Sequence, residues 1–395
     1  MIGYKRFSLI VEKALRLSAN TGDKIINYGD GNLYPQEIAE LIYASKTASA
    51  AVEKMTENII CEGFADDVFA SITNGNGCNM NDILEGTAND VARFKGWAWI
   101  VQYGITPAGY RPVNIYNVPF EYVRAEMSDN YLKDPTIKKW RVFNNWDRAS
   151  VKATSSAQNS TVYPTYNPDT FAAEVEDVGG IENHKGQLLY VNLGTTRPYP
   201  LSTFHAVRNE MGAEDKNGRY VNRTLGRGFH MCSIVSHGDF ETEQAQNEFR
   251  DTLSEMMGSE NAGSVLTVRD ENVATDKPFI KVDQLGSPID KDLYRAYVEP
   301  LRKDIAIAAY NIPLPLIDSS LMTFSNASGE VIKELQKVYR NSLAKVRDRI
   351  SRELYQIFGL EPELTKIKNK LEEDGRPEII PVKDASRKLP HNLYQ

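Results

Sequence analysis

The sequence predicts an α+β fold, and three observations carry that prediction. Apolar residues recur at helical spacing over residues 38–59 and again over 331–357. Over residues 113–143 the pattern changes to short alternating runs punctuated by Pro107, Pro112, Pro119 and Pro135, the signature of short strands. The chain has 395 residues, 41% hydrophobic and 25% charged, which suits two or three soluble domains with a real core and excludes general disorder.

The elements follow in order. Residues 1–31 read as a short helical arm closed by a glycine-rich turn, Gly29-Asp30-Gly31. Pro35 suits the opening turn of a helix, where its missing N–H is no loss. Ile38, Leu41, Ile42, Ser45, Ala48, Val52, Met55 and Ile59 then place one helix over residues 36–59, and its many Ala and Ser residues make it thin enough for close packing. Asn74-Gly75-Asn76-Gly77 marks a turn. Asp82 with Glu85 suggests a capping box for a helix carrying Ile83, Val91, Phe94, Trp97, Ala98 and Ile100. Val113 with Ile115, then Tyr122, Arg124 and Glu126, then Arg141 with Phe143, read as strands. Residues 150–170, rich in Ser, Thr, Asn and Pro without a period, read as a surface loop, and 188–193 as a further strand.

The second half is mostly helical. A helix opens at Pro200-Leu201-Ser202-Thr203 and runs to Met211, where the polar, glycine-containing stretch 212–228 is expected to break it. Phe249, Leu253 and Met256 share a face of a helix over 242–257. Residues 263–268 and 278–282 are strand candidates. Leu293, Tyr297, Leu301 and Ile305 define a helix over 290–312, which Pro300 should bend by removing a backbone donor. A loop over 313–328 bears Leu316, Ile317 and Met322. Ser328 caps a single long helix with the stripe Val331, Leu335, Val338, Leu343, Val346, Ile350, Leu354 and Ile357, and Gly359 ends it. The tail after Pro362 is charged and is expected to be mobile.

Chemistry-bearing clusters are sparse. Cys61, Cys78 and Cys232 are odd in number and widely spaced, so they form no disulfide framework. No apolar run approaches the ~18–20 residues that cross a bilayer. The turn at 29–31 lacks the lysine and strand–loop–helix frame of a phosphate-binding loop. His230, Cys232 and His237 form a metal-like group without the fourth ligand that structural zinc requires. No G-x-S-x-G elbow is present. Lys333, Lys337, Arg340, Lys345, Arg347, Arg349 and Arg352 make the last long helix basic, but Glu330, Glu334, Asp348 and Glu353 offset them, as on a solvated or subunit-contacting face. Three readings follow from the residues: a structural subunit without catalysis, a metal- or thiol-dependent enzyme around His230, Cys232 and His237, or a monomeric nucleic-acid-binding module using the basic helix.

The order of elements resembles the portal protein family of tailed bacteriophages. The match is most specific at Ile312-Pro313 followed by Leu316-Ile317 and then Thr323-Phe324-Ser325-Asn326-Ala327-Ser328 before a long helix. Arg197-Pro198-Tyr199-Pro200-Leu201-Ser202 is similar to the family's entry into its first stem helix. Asn261-Ala262-Gly263-Ser264-Val265-Leu266 resembles its clip, and Leu33-Tyr34-Pro35 the opening of its wing. The resemblance spans roughly residues 30–358 and implies wing over 1–200, stem over 201–228 and 288–312, clip over 229–287, tunnel loop over 313–328, a long wing or crown helix over 329–358, and a charged tail over 359–395. It implies a non-enzymatic head–tail connector without cofactor or metal, made in the host cytoplasm and held at the portal vertex of the virion. The expected assembly is a homo-oligomeric ring, twelve copies in the virion. Double-stranded DNA would pass through its channel, and terminase large subunit, major capsid protein and a head–tail adaptor would be its partners, with no membrane involved.

The net charge of −7 fits a channel in which DNA must slide. A duplex carries one negative charge per ~1.7 Å, so a strongly basic lumen would hold it by counterion release. The lumen is therefore expected to be mixed or negative. Contacts would be confined to Leu316, Leu321 and Met322 as an apolar tip, to Ser319, Ser320, Thr323, Ser325 and Asn326 as neutral hydrogen-bonding groups that position phosphates without reading bases, and to Lys291, Arg295, Arg302 and Lys303 on the stem.

Overall fold

The structure, a computed structural model, describes residues 19–20, 25–107, 109–128, 136–146, 160–226, 232–237, 242–255, 280–285, 291–321 and 329–373. They divide into two compact units, one of residues 1–43, 47–208 and 305–395, the other of residues 44–46 and 209–304.

The first unit is built around helices and short antiparallel sheets. Strands β1 (Ala19–Asn20) and β2 (Ile25–Ile26) form a two-residue ladder. Helices α1 (Tyr34–Ala44), α2 (Lys46–Ile60) and α3 (Asp67–Ser71) lead to α4 (Met80–Phe94). Strands β3 (Gly96–Thr106), β4 (Gly109–Val118) and β8 (Gln187–Asn192) make one sheet in the order β4-β3-β8; β5 (Val123–Ala125), β6 (Lys139–Val142) and β7 (Thr161–Pro164) make a second. Helix α5 (Phe171–Asp177) lies between β7 and β8 in the chain. Helix α4 rests on β3 and β4 through Ile83, Leu84, Ala88 and Val91, which are buried with Trp97, Trp99 and Val101. Trp99 Nε1 donates to Thr87 Oγ1 at 2.8 Å, which donates in turn to the Ile83 carbonyl at 2.7 Å, so the indole N–H of Trp99 is satisfied inside this layer.

The second unit holds α6 (Arg208–Gly226, from residue 209 onward), β9 (Cys232–His237), α7 (Glu243–Glu255), β10 (Ile280–Leu285) and α8 (Lys291–Ala308, up to residue 304). Strands β9 and β10 pair antiparallel from Cys232↔Leu285 to His237↔Ile280.

Several expectations are corrected by the fold. The helix over 36–59 is two helices with Ser45 between them, because α1 and α2 keep Ile38 and Ile42, and Ala48, Val52, Met55 and Ile59, buried in one continuous period that hides the break. The capping box begins three residues earlier: Asn79 is the cap, and Asp82, the third helical residue, returns the bond to its backbone N–H. Trp97, Ala98 and Ile100 lie on β3, since α4 ends at Phe94 with Lys95 in the left-handed region (φ 65) and Gly96 seated against the Val191 carbonyl, where a Cβ would come within 2.6 Å. The loop over 150–170 contains β7. Gly212 to Gly226 does not break the helix: Gly212 and Gly218 face open space, and Asp215 grips Arg219 one turn on at 2.9 Å. Each glycine costs only ~1 kcal/mol relative to alanine, so polarity sets exposure here rather than ending the helix. Helix α8 continues through Pro300, the position at which a bend is expected.

The helix expected over 329–358 is also divided, into α10 (Gly329–Ser342) and α11 (Ala344–Phe358), with Leu343 between them outside helical geometry (ψ 0). The described part of the tail, residues 359–373, is docked on the first unit. Lys366 and Lys368 exchange backbone hydrogen bonds with residues 62–65, and Ile367 is buried against that strand-like pairing. The short α12 (Lys370–Glu373) closes the described chain. The strand candidate at 263–268, residues 1–18 of the arm expected to be helical over 1–31, and the tail after 373 lie outside the described residues, and the described part of that arm pairs as β1 and β2 instead of forming a helix.

Candidate functional site

The expected site lies where α8 ends and the chain turns back toward α10. Tyr310 and Asn311 both adopt φ 56, a left-handed pair that is costly for a bulky residue such as tyrosine. The surroundings hold it. Asn311 N–H donates to the Ile307 carbonyl and Ile312 N–H to the Ala306 carbonyl, both at 3.0 Å. Ile305, Ala306, Ala309 and Ile312 are buried, and the Tyr339 hydroxyl of α10 donates to the Ala309 carbonyl at 3.0 Å. Burial raises the phenol pKa of both Tyr310 and Tyr339, keeping each a neutral donor.

Beyond this anchor, Pro313 opens the single turn α9 (Leu314–Ile317), and residues Ser319–Leu321 form a 3₁₀ turn. Leu316 is half-buried on α9, and Leu321 stands 49% exposed at the end of the turn. Asp318, which sequence reasoning missed, organises the tip. Its Oδ1 accepts from Ser320 N at 3.0 Å and from Ser320 Oγ at 2.6 Å. The signal was present: Asp followed two residues on by Ser is the pattern of a side-chain-closed turn. The Ser320 hydroxyl proton is directed to Asp318. Met322, Thr323, Ser325 and Asn326 lie outside the described residues, as do the neighbours that would complete the tip. On α8, Lys303 is exposed and Arg302 half-buried, while Lys291 and Arg295 are placed by backbone alone.

The other candidate groups are placed as follows. Cys232 and His237 stand at opposite ends of β9; five steps of strand separate their backbones by ~17 Å, beyond the reach of two ligands to one ion. His230 lies outside the described residues, and among those described no His, Cys, Asp and Glu group could hold a metal. The glycine turn at 29–31 is filled from within. Arg124, fully buried, donates to Asn32 Oδ1 at 2.6 Å and to the Asn32 carbonyl at 2.8 Å, with further bonds to the Glu121 and Val123 carbonyls and Gln36. Burial lowers its pKa to about 10, which still leaves it charged at neutral pH.

The basic face of the last helices is reduced likewise. Arg340 is buried and bonds Asn58, Glu62 and Asn369, Arg347 is buried and bonds the Asn58 carbonyl, and Arg349 pairs with Glu353 at 2.7 Å. Arg340 and Arg347 are internal pins, while Lys333, Lys345 and Arg352 are exposed. Among the described residues no helix is long and apolar enough to cross a membrane.

No protein-family model and no curated protein matches the sequence. Solved structures do align with it. The chain is similar to an HK97 family phage portal protein from Corynebacterium diphtheriae, with 10% identity, 86% of this chain and 98% of that one covered, and a TM-score of 0.49. It is similar to a chain in the virion of a native gene transfer agent particle, with 11% identity, 82% of each chain covered and a TM-score of 0.48. It is also similar to a chain in the neck of that native particle, computed with C12 symmetry, with 12% identity, 82% of each chain covered and a TM-score of 0.47.

Proposed function

We propose that the protein is a portal-like ring subunit, identical copies of which close around a channel for double-stranded DNA at one vertex of a virion. The observation that carries the reading is the order of elements over residues 208–321. A helix, α6, enters a small compact unit holding an antiparallel ribbon and a short helix; a second helix, α8, leaves it; and a short, anchored connector with an exposed apolar tip precedes α10. That sequence of parts is what a stem, a clip, a returning stem and a tunnel loop require.

On this reading α6 and α8 are the stem, and Lys291, Arg295, Arg302 and Lys303 meet phosphates along it. Leu316, Ser319, Ser320, Leu321, Met322, Thr323, Ser325 and Asn326 form the tunnel loop. The ring has twelve copies in the virion, takes DNA from the terminase large subunit, sits in the major capsid shell and later joins a head–tail adaptor, serving packaging and ejection without catalysis. Asp318 gives the physics a specific form: a carboxylate beside the tip opposes phosphate, so contact with the duplex stays weak and DNA slides.

Native mass measurement of the purified protein tests the reading. A single large closed ring is expected; a species that stays monomeric at every concentration would overturn it.

A further inference from the structure

The turn Asn74-Gly75-Asn76-Gly77 repeats one dipeptide, and the fold treats its two copies differently. The Asn74 side chain is tied down. Its Nδ2 donates to the Ile115 carbonyl on β4 at 3.0 Å, and its Oδ1 accepts from the Asn76 N–H at 3.0 Å and from the Cys78 N–H at 3.2 Å. The N–H of Gly75, next in the chain, donates to the Tyr116 hydroxyl at 3.1 Å. Asn76 stands exposed at the tip of the turn, and its side chain has no hydrogen-bond partner among the described residues. Gly77 adopts φ 79, and a Cβ there would meet nothing within 4 Å. One bond restrains it, from its N–H to the Asn74 carbonyl at 2.9 Å.

The chemistry of such a pair depends on that difference. A main-chain nitrogen can attack the side-chain amide of a preceding asparagine when nothing crowds the approach, and glycine, with no Cβ, crowds it least. The asparagine side chain must also be free to swing onto that nitrogen. Asn76 is free and Asn74 is not. A third such pair, Asn217-Gly218, lies inside α6, where a backbone N–H is bonded one turn back along the helix.

We propose that Asn76 is a site of spontaneous covalent modification, its amide converting to a carboxylate in the folded chain with water as co-reactant and hydroxide as base. Hydroxide takes the proton of the Gly77 N–H, and the nitrogen attacks Asn76 Cγ. The N–Cγ bond forms, the Cγ–Nδ2 bond breaks, and the leaving group takes a proton from water and departs as ammonia, which regenerates hydroxide. Water then opens the cyclic imide. Addition at Cγ gives an aspartyl residue; addition at the main-chain carbonyl carbon gives an isoaspartyl residue, with the chain running through Cγ. Nothing is oxidised or reduced, and the sum is amide plus water to acid plus ammonia. Each conversion adds one negative charge to a chain of net charge −7. The isoaspartyl product also lengthens the backbone inside the loop that Asn74 fastens to β4. None of this depends on the ring reading.

The test incubates the full-length folded protein in mildly alkaline buffer beside the same chain in concentrated urea. Peptides spanning residues 71–79 are followed by mass and by separation of the aspartyl and isoaspartyl forms. In the folded protein Asn76 is expected to convert roughly tenfold or more faster than Asn74, because reaction at Asn74 must first break its buried-side hydrogen bonds. In urea the two are expected to convert at similar rates. Asn76→Ser is expected to keep the peptide mass constant in the folded state at unchanged melting temperature. Should that variant fail to fold, the folded and unfolded wild type decide the matter alone. Equal rates at Asn74 and Asn76 in the folded chain would overturn the proposal. So would an Asn76 amide that survives folded for a time in which the unfolded chain converts.

Discussion

Arg124 and Asp90 show how single residues are set by what surrounds them. Arg124 is a buried cation with its N–H groups placed on oxygens of Asn32, Gln36, Glu121 and Val123, and its guanidinium carbon lies 5.5 Å from the Tyr28 ring centroid and 5.2 Å from that of Trp146. Lysine has neither the planar fork nor the donors to reproduce this. Arg124→Lys is expected to cost ~2–4 kcal/mol in urea unfolding, since several buried acceptors lose their partners. Asp90 is buried beside Arg93 (3.1 Å) and the Phe120 N–H (3.2 Å). Burial outweighs both and raises its carboxyl to about 7. The folded state therefore holds this proton more tightly than the unfolded chain does. The stabilisation from it is full below about pH 3.8 and is lost as pH rises through about 7. Replacing Asp90 by Asn is expected to flatten the fall of stability between those limits, whatever offset it adds. A slope of unfolding free energy against pH equal to that of the wild type would refute the assignment.

At the scale of elements, close approaches decide which sequence signals become which structure. Gly96 starts β3 where a side chain would press on the Val191 carbonyl and, at 2.9 Å, on the Phe120 ring. Gly96→Ala is expected to destabilise the first unit by ~1–3 kcal/mol through overpacking, read as a lower urea midpoint at unchanged slope. The docked tail makes a second case. Ile367 is 5% exposed and sits in the pairing with residues 62–65, so Ile367→Ala is expected to cost ~2–4 kcal/mol, whereas a free tail would show no effect. The charge of this segment gave no hint of that role, because its partners are some 300 positions earlier in the chain. The division of the last helix at Leu343 was hidden in the same way. Leu343, Val346, Ile350, Leu354 and Ile357 are core, while Val331 and Val338 of the same period face outward.

For the whole molecule, the proposed function makes affinity for DNA a liability. With Arg340 and Arg347 bonded internally and Asp318 at the tip, phosphate contact falls to the proposed stem cations, of which a sliding duplex is expected to engage about two at a time. The assembled ring is expected to lose less than about tenfold in affinity for linear duplex between 50 and 200 mM salt, equivalent to roughly two phosphate contacts. Fluorescence anisotropy across that range checks it, and a loss of a thousandfold or more would favour a dedicated DNA-binding module instead.

The sequence by itself determined the class of the fold, the helices that form over Glu243–Glu255 and Lys291–Ala308, the strand Gln187–Asn192, the glycine end at Gly359 and the helix–connector–helix signature around Ile312-Pro313, though not that the second helix stops short of Ile312. These are properties of a few neighbouring residues, fixed by backbone period, cap chemistry and the conformational range of Gly and Pro. Only the tertiary structure decided that Arg124 is pinned on Asn32 beside the glycine turn, that Arg340 and Arg347 point inward, that the tail docks, and that Val331 and Val338 face outward. Each of those depends on which distant segment arrives beside a residue, and a hydrophobic period of 3.6 reads the same whether its partner is the protein's own core or another molecule.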